Sequence, residues 1–331
     1  MRIILNDSRD PYFNLAAEEY LLENSVSDIF MLWQNDRSVI IGKNQNVWSE
    51  VNTDYTEANG IAVVRRLTGG GAVFHDPGNV NFTFITDAKG DEGIDFKRFI
   101  LPVISAIDTL GIKADADGRN DIVSDGYKIS GNAQCRYRCE DGRERIMHHG
   151  TLLYDADLGA LAGALHVNEE KLRSKGIKSV SARVKNLRNI GGLSMTADEF
   201  TRYLLAYAER EYGCTAEMLS GEEKDGIVIM AETKYSTWEW NFGKSPECEN
   251  VREKRFPWGS ITIGYTLKRG VFSDVSVNGD FFGTEDVGEL GDALLGVRFD
   301  RASVSGTLEM VPIGKMISGA TADDIITLLF E

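Results

Sequence analysis

Histidine, cysteine and proline are scarce in this chain: its 331 residues include 4 His, 4 Cys and 6 Pro. So few cysteines exclude the disulfide framework on which small secreted domains depend. Positive charge is in deficit as well, with 36 Lys and Arg against 51 Asp and Glu and a formal net charge of −15. Nucleic acids and anionic membranes are bound through basic footprints, so general affinity for either is not expected. No apolar run approaches the ~18 residues of a membrane span, and "MRIILNDSRDPYF" holds no apolar core of signal-peptide length. The expectation is a cytoplasmic, monomeric enzyme.

What is present suffices for a large core: hydrophobic residues make up 42% of the chain, and the mean hydropathy is −0.23. No internal repeat or low-complexity segment interrupts it. "NLAAEEYLLENS" (14–25) reads as a helix with Asn14 as N-cap and its apolar residues on one face. "IFMLWQ" and "SVIIGK" flank "NDR" as an expected hairpin. "GIAVVRR", "AVFH" and "VNFTFI" read as strands, with "DPGN" a turn. Residues 95–111 read as a helix in which Pro102 should make a kink or mark an early turn, and 196–213 as one opened by a Thr196–Glu199 capping box and closed by Gly213. Composition shifts at 241–259, a charged stretch with two prolines, and strand–turn–strand signals follow. These signals place an α+β fold with a mixed main domain at about 1–245 and a small α+β domain at about 250–331.

The segment "RRLTGGGAVFHDPGN" (65–79) carries the sharpest question, because three consecutive glycines are entropically costly to order. Strand alternation sends Arg65 and Arg66 to opposite faces, so at least one should flank the loop mouth. Consecutive glycine N–H groups can form an anion-binding concavity, and missing side chains admit a phosphate. No Gly-Lys-Ser/Thr follows and no helix begins there, which excludes the Walker and Rossmann patterns. "GRND" (118–121), "KISGNAQ" (128–134) and "HHGTLL" (148–153) add further polar, small-residue segments among strands and suggest one shared pocket.

These motifs, with "KGIKSVSARVKNL" and "STWEWNFG", together resemble the bacterial lipoate–protein ligase A family, from about residue 5 to the end of the main domain; the small domain matches more weakly. The resemblance implies a biotin/lipoate ligase catalytic domain, similar to class II aminoacyl-tRNA synthetases. It also implies two half-reactions: lipoate and ATP give lipoyl-AMP, and the lipoyl group then passes to a lysine. The implied acceptors are lipoyl domains of 2-oxoacid dehydrogenase acyltransferase subunits and the glycine cleavage H protein.

By motif match, Lys128 bridges the lipoate carboxylate and the α-phosphate. Arg66 contacts ATP phosphates, Gly70, Gly71, Ala72, Val73 and Phe74 line the nucleotide, and Trp33, Val73 and His75 line lipoate. Mg²⁺ is implied for the pyrophosphate, with Asp121 as the candidate ligand. Residues 171–188, basic throughout, read as a lid over the adenylate. Two competitors remain at this point. An octanoyl- or lipoyl-transferase of the same fold would need a cysteine nucleophile, for which Cys135 is the candidate. A carrier-binding module without catalysis would lack Arg66 and Lys128. Biotin ligase lacks its Arg- and Gly-alternating loop here. Cys135, Cys139, His148 and His149 could suggest zinc, but a hairpin with Cys135 opposite His148 sets Cys139 about 13 Å away, too far for one ion.

Overall fold

The computed structural model describes residues 1–331 except 91–92, 119, 167–182 and 244–247. A seven-stranded mixed sheet dominates, with strand order β1-β2-β6-β10-β9-β8-β7. Its strands are β1 (Arg2–Leu5), β2 (Ile29–Trp33), β6 (Asn79–Asp87), β7 (Asp115–Asp117), β8 (Asp121–Ser124), β9 (Tyr127–Arg138) and β10 (Glu144–Leu153). Only β1 and β2 run parallel; the other neighbours are antiparallel. Both faces are covered, so β2 is buried throughout, and alternate residues enter different cores. Phe30 and Leu32 pack with Phe82 and Phe84 under helix α4 (Lys97–Asp108) and helix Ala197–Tyr212. Met31 and Trp33 pack on the other face under helix α1 (Pro11–Asn24).

A second sheet of three strands, β3 (Ser38–Ile41), β4 (Ala62–Arg65) and β5 (Val73–His75), has the order β4-β3-β5. The expected hairpin between 29 and 41 is therefore not formed, because β2 and β3 belong to different sheets. The reason lies in the connection. Asn14 donates to Gln34 O at 2.8 Å and to Asn35 Oδ1 at 2.8 Å, while Asp36 N donates to Arg9 O, so the link is tied to α1 and its approach.

The same bonds correct the helix start. Asp10 caps α1 through Tyr12 N, Pro11 opens it, and Asn14 sits inside with its side chain committed elsewhere. Nor is α1 apolar on one face only: Leu15, Ala16, Ala17, Glu18, Glu19, Leu21 and Leu22 are all buried. Pro102 lies within α4 without ending it, where the burial of Phe99, Ile100, Val103, Ile104 and Ile107 outweighs one missing hydrogen bond. The capping box at Thr196 and the left-handed Gly213 stand as expected.

The β9–β10 hairpin is offset by one residue from expectation: Met147, not His148, faces Cys135. Cys139 N donates to Arg143 O and Gly142 adopts φ 86°, so three residues rather than two make the turn.

A third sheet, β11 (Asn250–Phe256), β12 (Gly259–Lys268) and β13 (Val271–Gly279), is antiparallel. It packs its own core, including Ile261, Ile263, Tyr265 and Phe272, against Leu290, Val304, Leu308, Ile325 and Leu329 from the closing helices. Part of the expected boundary, 244–247, lies outside the described residues. No helix among the described residues is long and apolar enough to cross a membrane.

Candidate active site

Because β4 and β5 border β3 on opposite edges, the chain between them must cross the end of β3, and this crossing is the glycine-rich loop. Gly70 has φ +89°, a conformation that L side chains rarely adopt. At Gly69 a Cβ would overlap the carbonyl of Phe281, and at Gly70 it would lie 2.8 Å from Phe282 Cζ. Gly70 N donates to Phe281 O at 3.0 Å. The loop thus both turns sharply and is closely packed, but the group against it is the small domain. The expected phosphate nest is correspondingly reduced, since the Gly70 N–H is already engaged.

Arg65 and Arg66 do diverge. Arg65, fully buried, donates to the carbonyls of Gly42, Lys43, Gln45, Trp240 and Asn241, and so anchors the "WEWN" segment. Arg66 organises the loop itself: Nη2 donates to Gly69 O and Gly71 O at 2.6 and 2.9 Å, Nη1 to Ile40 O and Nε to Thr68 Oγ1. Burial lowers both guanidinium pKa values to about 10, which leaves them charged at neutral pH.

Lys128 sits on β9, its Nζ 2.7 Å from Asp121 Oδ1 on β8; Asp121 Oδ2 meets the Arg183 guanidinium. A Cβ at Gly131 would fall 2.9 Å from Lys128 Nζ, so that glycine makes room for the ammonium. "GRND" and "KISGNAQ" are tied by Asn132 N to Asn120 O at 2.9 Å and by Asn120 Nδ2 to Asn132 O at 2.6 Å. Asp121 serves two cations, and among the described residues no three His, Cys, Asp or Glu converge on one point. Asp121 is thus already shared by two cations, and Cys135, Cys139, His148 and His149 do not gather at one point. His148 and His149 point to opposite faces: His148 stacks on Phe99, while His149 Nδ1 donates to Glu18.

That last bond belongs to a buried hydrogen-bonded chain. Trp33 Nε1 donates to Thr83 Oγ1 at 2.9 Å, and Thr83 Oγ1 donates to Glu18 Oε1 at 2.6 Å. Glu18 also accepts from His149 Nδ1 at 2.9 Å, His149 Nε2 and Thr68 Oγ1 share a hydrogen bond at 2.8 Å, and Thr68 accepts from Arg66 Nε at 2.9 Å. Acids buried inside the apolar helix "NLAAEEYLLEN" were the available sequence signal for Glu18.

A cavity of about 290 Å³ gathers these groups. Trp33, Arg66, Gly70, Gly71, Ala72, Val73, Phe74, His75, Asp121 and Lys128 all line it, so the residues singled out from sequence meet at one place. Leu15, Trp33 and Val73 belong to one apolar cluster in its wall, and Lys128 and Arg183 meet there through Asp121. His75 Nδ1 accepts from Asn35 Nδ2 at 3.1 Å, which places its proton on Nε2. Burial, helped by His149 and Arg66, lowers its pKa to about 3, so the ring is neutral and cannot act as a base whose proton is held near pH 7.

The sequence reading missed Arg255, Asp280 and Phe282, which enter the same wall from the small domain. Cys135 does not line the cavity; burial pushes its thiol up to about 12, which removes the nucleophile a transferase would need. Most of the expected 171–188 lid lies in 167–182, outside the described residues.

Residues 10–209 match the family described as "Lipoyl protein ligase A/B catalytic domain", and residues 245–329 match "Bacterial lipoate protein ligase C-terminus". Lipoate-protein ligase LplJ of Bacillus subtilis (strain 168) is 41% identical over 326 residues, covering 97% of each chain. The structure of P. falciparum LipL1 in complex with lipoate aligns with a TM-score of 0.79 at 25% identity, over 98% of each chain. A lipoate-protein ligase A bound with ATP aligns with a TM-score of 0.60 at 26% identity, covering 73% of this chain and 98% of that one.

Proposed function

We propose a two-step ATP-dependent reaction for this chain, which belongs to the lipoate–protein ligase family. It activates lipoate to lipoyl-AMP and passes the lipoyl group to a lysine of an acceptor domain. The observation that carries this reading is a wall divided between an apolar cluster, which includes Leu15, Trp33 and Val73, and the ion-paired Lys128, Asp121 and Arg183. Such a division suits a ligand with an apolar tail and a carboxylate head.

In the first step a lipoate carboxylate oxygen bonds to the α-phosphorus of ATP, and the bond to the leaving pyrophosphate breaks. Two anions must meet, so positioned cations contribute more than covalent catalysis would. Lys128 is assigned to bridge the carboxylate and the α-phosphate. A compact ammonium suits that place better than a planar fork. Arg66 supplies field and shape: most of its donors hold the loop, which presents Gly71, Ala72, Val73 and Phe74 to the nucleotide. Trp33, Val73 and His75 are assigned to the lipoyl tail. Magnesium would offset charge on the triphosphate and its leaving pyrophosphate, and Asp121 is the residue proposed to face it.

In the second step the acceptor lysine amine attacks the lipoyl carbonyl, AMP leaves, and the amine loses a proton. The acceptors proposed are lipoyl domains of 2-oxoacid dehydrogenase acyltransferase subunits and the glycine cleavage H protein, met by a monomer in the cytoplasm. Pyrophosphate release from ATP, measured with lipoate, octanoate, biotin or no acid, tests the reading. Lipoate-dependent release followed by lipoylation of an acceptor domain is expected; release indifferent to the acid, or none, would sink it.

A further inference from the structure

We infer that Arg255, carried by the small domain, is a catalytic residue of the adenylation step alone and touches the ATP triphosphate only while that domain is docked. The inference rests on the ligase reading above. Docking is specific: besides the Gly70–Phe281 bond, Gly279 N donates to Asn44 O at 2.8 Å. Lys43 Nζ meets Asp286 Oδ2 at 2.8 Å, and Phe282 packs edge-on to Phe96 at 5.2 Å. These contacts bring Arg255 and Asp280 to the wall of the cavity that holds Lys128.

The guanidinium is held but not used up. Nη1 donates to Ser260 Oγ at 2.8 Å and lies 3.7 Å from Asp280 Oδ2, while Ser260 N donates to Asp280 Oδ1 at 2.6 Å. Nε and Nη2 make no hydrogen bond among the described residues. The alternative, a structural ion pair with the buried Asp280, is loose, with a closest approach of 3.7 Å.

Among the described cations of this wall, Arg66 spends its donors on Thr68, Ile40, Gly69 and Gly71, while Lys128 and Arg183 share Asp121. Docking also occupies the Gly70 N–H, one donor that the glycine loop would otherwise offer to a phosphate. An arginine with uncommitted donors therefore enters the cavity as a glycine donor is withdrawn. A planar fork is suited to phosphate oxygens.

During adenylation Arg255 moves no proton. It stabilises charge that builds on the departing pyrophosphate. Once pyrophosphate leaves, the anion that Arg255 would hold is gone. The Arg255 cation is then not required for transfer to the acceptor lysine.

The test uses the full-length protein with Arg255→Ala, Arg255→Lys and Arg255→Gln, and Lys128→Ala alongside. Two rates are measured: lipoate-dependent pyrophosphate release, and lipoylation of an acceptor domain from supplied lipoyl-AMP. Arg255→Ala should lose about 10²-fold in the first, the usual effect of removing one preorganised donor. Its transfer rate should stay within about threefold, and Lys at 255 should outperform Gln because it keeps the charge.

Wild-type adenylation in Arg255→Ala, or equal loss in both steps, overturns the inference. If Arg255→Ala does not fold, the Lys and Gln variants decide: equal adenylation by the two overturns it. Loss in Lys128→Ala with none in Arg255→Ala leaves the ligase reading intact and removes this inference alone. A wild-type chain that releases no pyrophosphate with lipoate removes the ligase reading itself.

Discussion

A methyl group at position 131 would probe where the ammonium of Lys128 must sit. The added Cβ of Gly131→Ala falls 2.9 Å from Nζ and 3.2 Å from Cε of Lys128, the far end of a flexible side chain. Fold stability should change by less than about 1 kcal/mol, as for substitutions that meet no rigid neighbour. Adenylation should fall by roughly 10- to 100-fold through misplacement of the charge. Thermal midpoint and pyrophosphate release check this together; an unchanged rate would detach Lys128 from the reacting atoms. The buried histidines give a second residue-level expectation. His75 is lowered to about 3 and His148 falls well below its ordinary value, both chiefly by burial. The unfolded chain therefore binds more protons than the folded one between the ordinary histidine value of ~6.5 and the folded values. Stability is fully present above that range and declines as pH falls through it, by about 1.4 kcal/mol per pH unit for each histidine. Urea titrations at pH 7 and 5 should show the loss, and His75→Asn should flatten the slope.

Among the elements, the glycine loop is where function and packing compete most directly. From sequence alone, a side chain at Gly70 would obstruct a phosphate and leave the fold untouched. In the fold, Gly70→Val must both abandon φ +89° and displace the Phe282 ring, which joins Phe96 and Ala133 in a small cluster. The expected outcome is a lowered melting temperature together with weakened adenylation. Phe282→Ala in the Gly70→Val background should remove the clash, and so less than the sum of the two losses should appear. Calorimetry of the single and double variants measures this; strict additivity would separate the loop from the small domain.

For the whole molecule, the two parts have separate cores but share one cavity wall. A chain ending near residue 245 retains Lys128, Arg66, Trp33 and His75 but loses Arg255, Asp280 and Phe282. Its formation of lipoyl-AMP should suffer more than its transfer from supplied lipoyl-AMP, because the triphosphate that Arg255 is inferred to hold takes no part in transfer. Poor transfer with normal adenylation would instead make the small domain a docking surface for the acceptor. Exposure of the Phe96 and Ala133 cluster should also cost the truncated chain some solubility.

The sequence alone was enough for the α+β class and the family resemblance, because ordered motifs such as "RRLTGGGAVFHDPGN" and "HHGTLL" are local strings. It also located Thr196 and Gly213, since caps depend on neighbours three or four residues away. It misjudged the start of α1 and the partner of β2, where distant groups decide: Asn14 serves the 34–35 link rather than its own helix, and β2 pairs with β6. Only the tertiary structure decided what lies against Gly69 and Gly70. It also brought Glu18, Thr68 and His149 into one chain with Arg66 and placed Arg255 at the cavity. Apart from Arg66 and Thr68, those partners are separated by tens to hundreds of residues, and local pattern cannot reach across that distance. Strand register and domain docking set such neighbours, through burial and hydrogen-bond satisfaction summed over the whole fold.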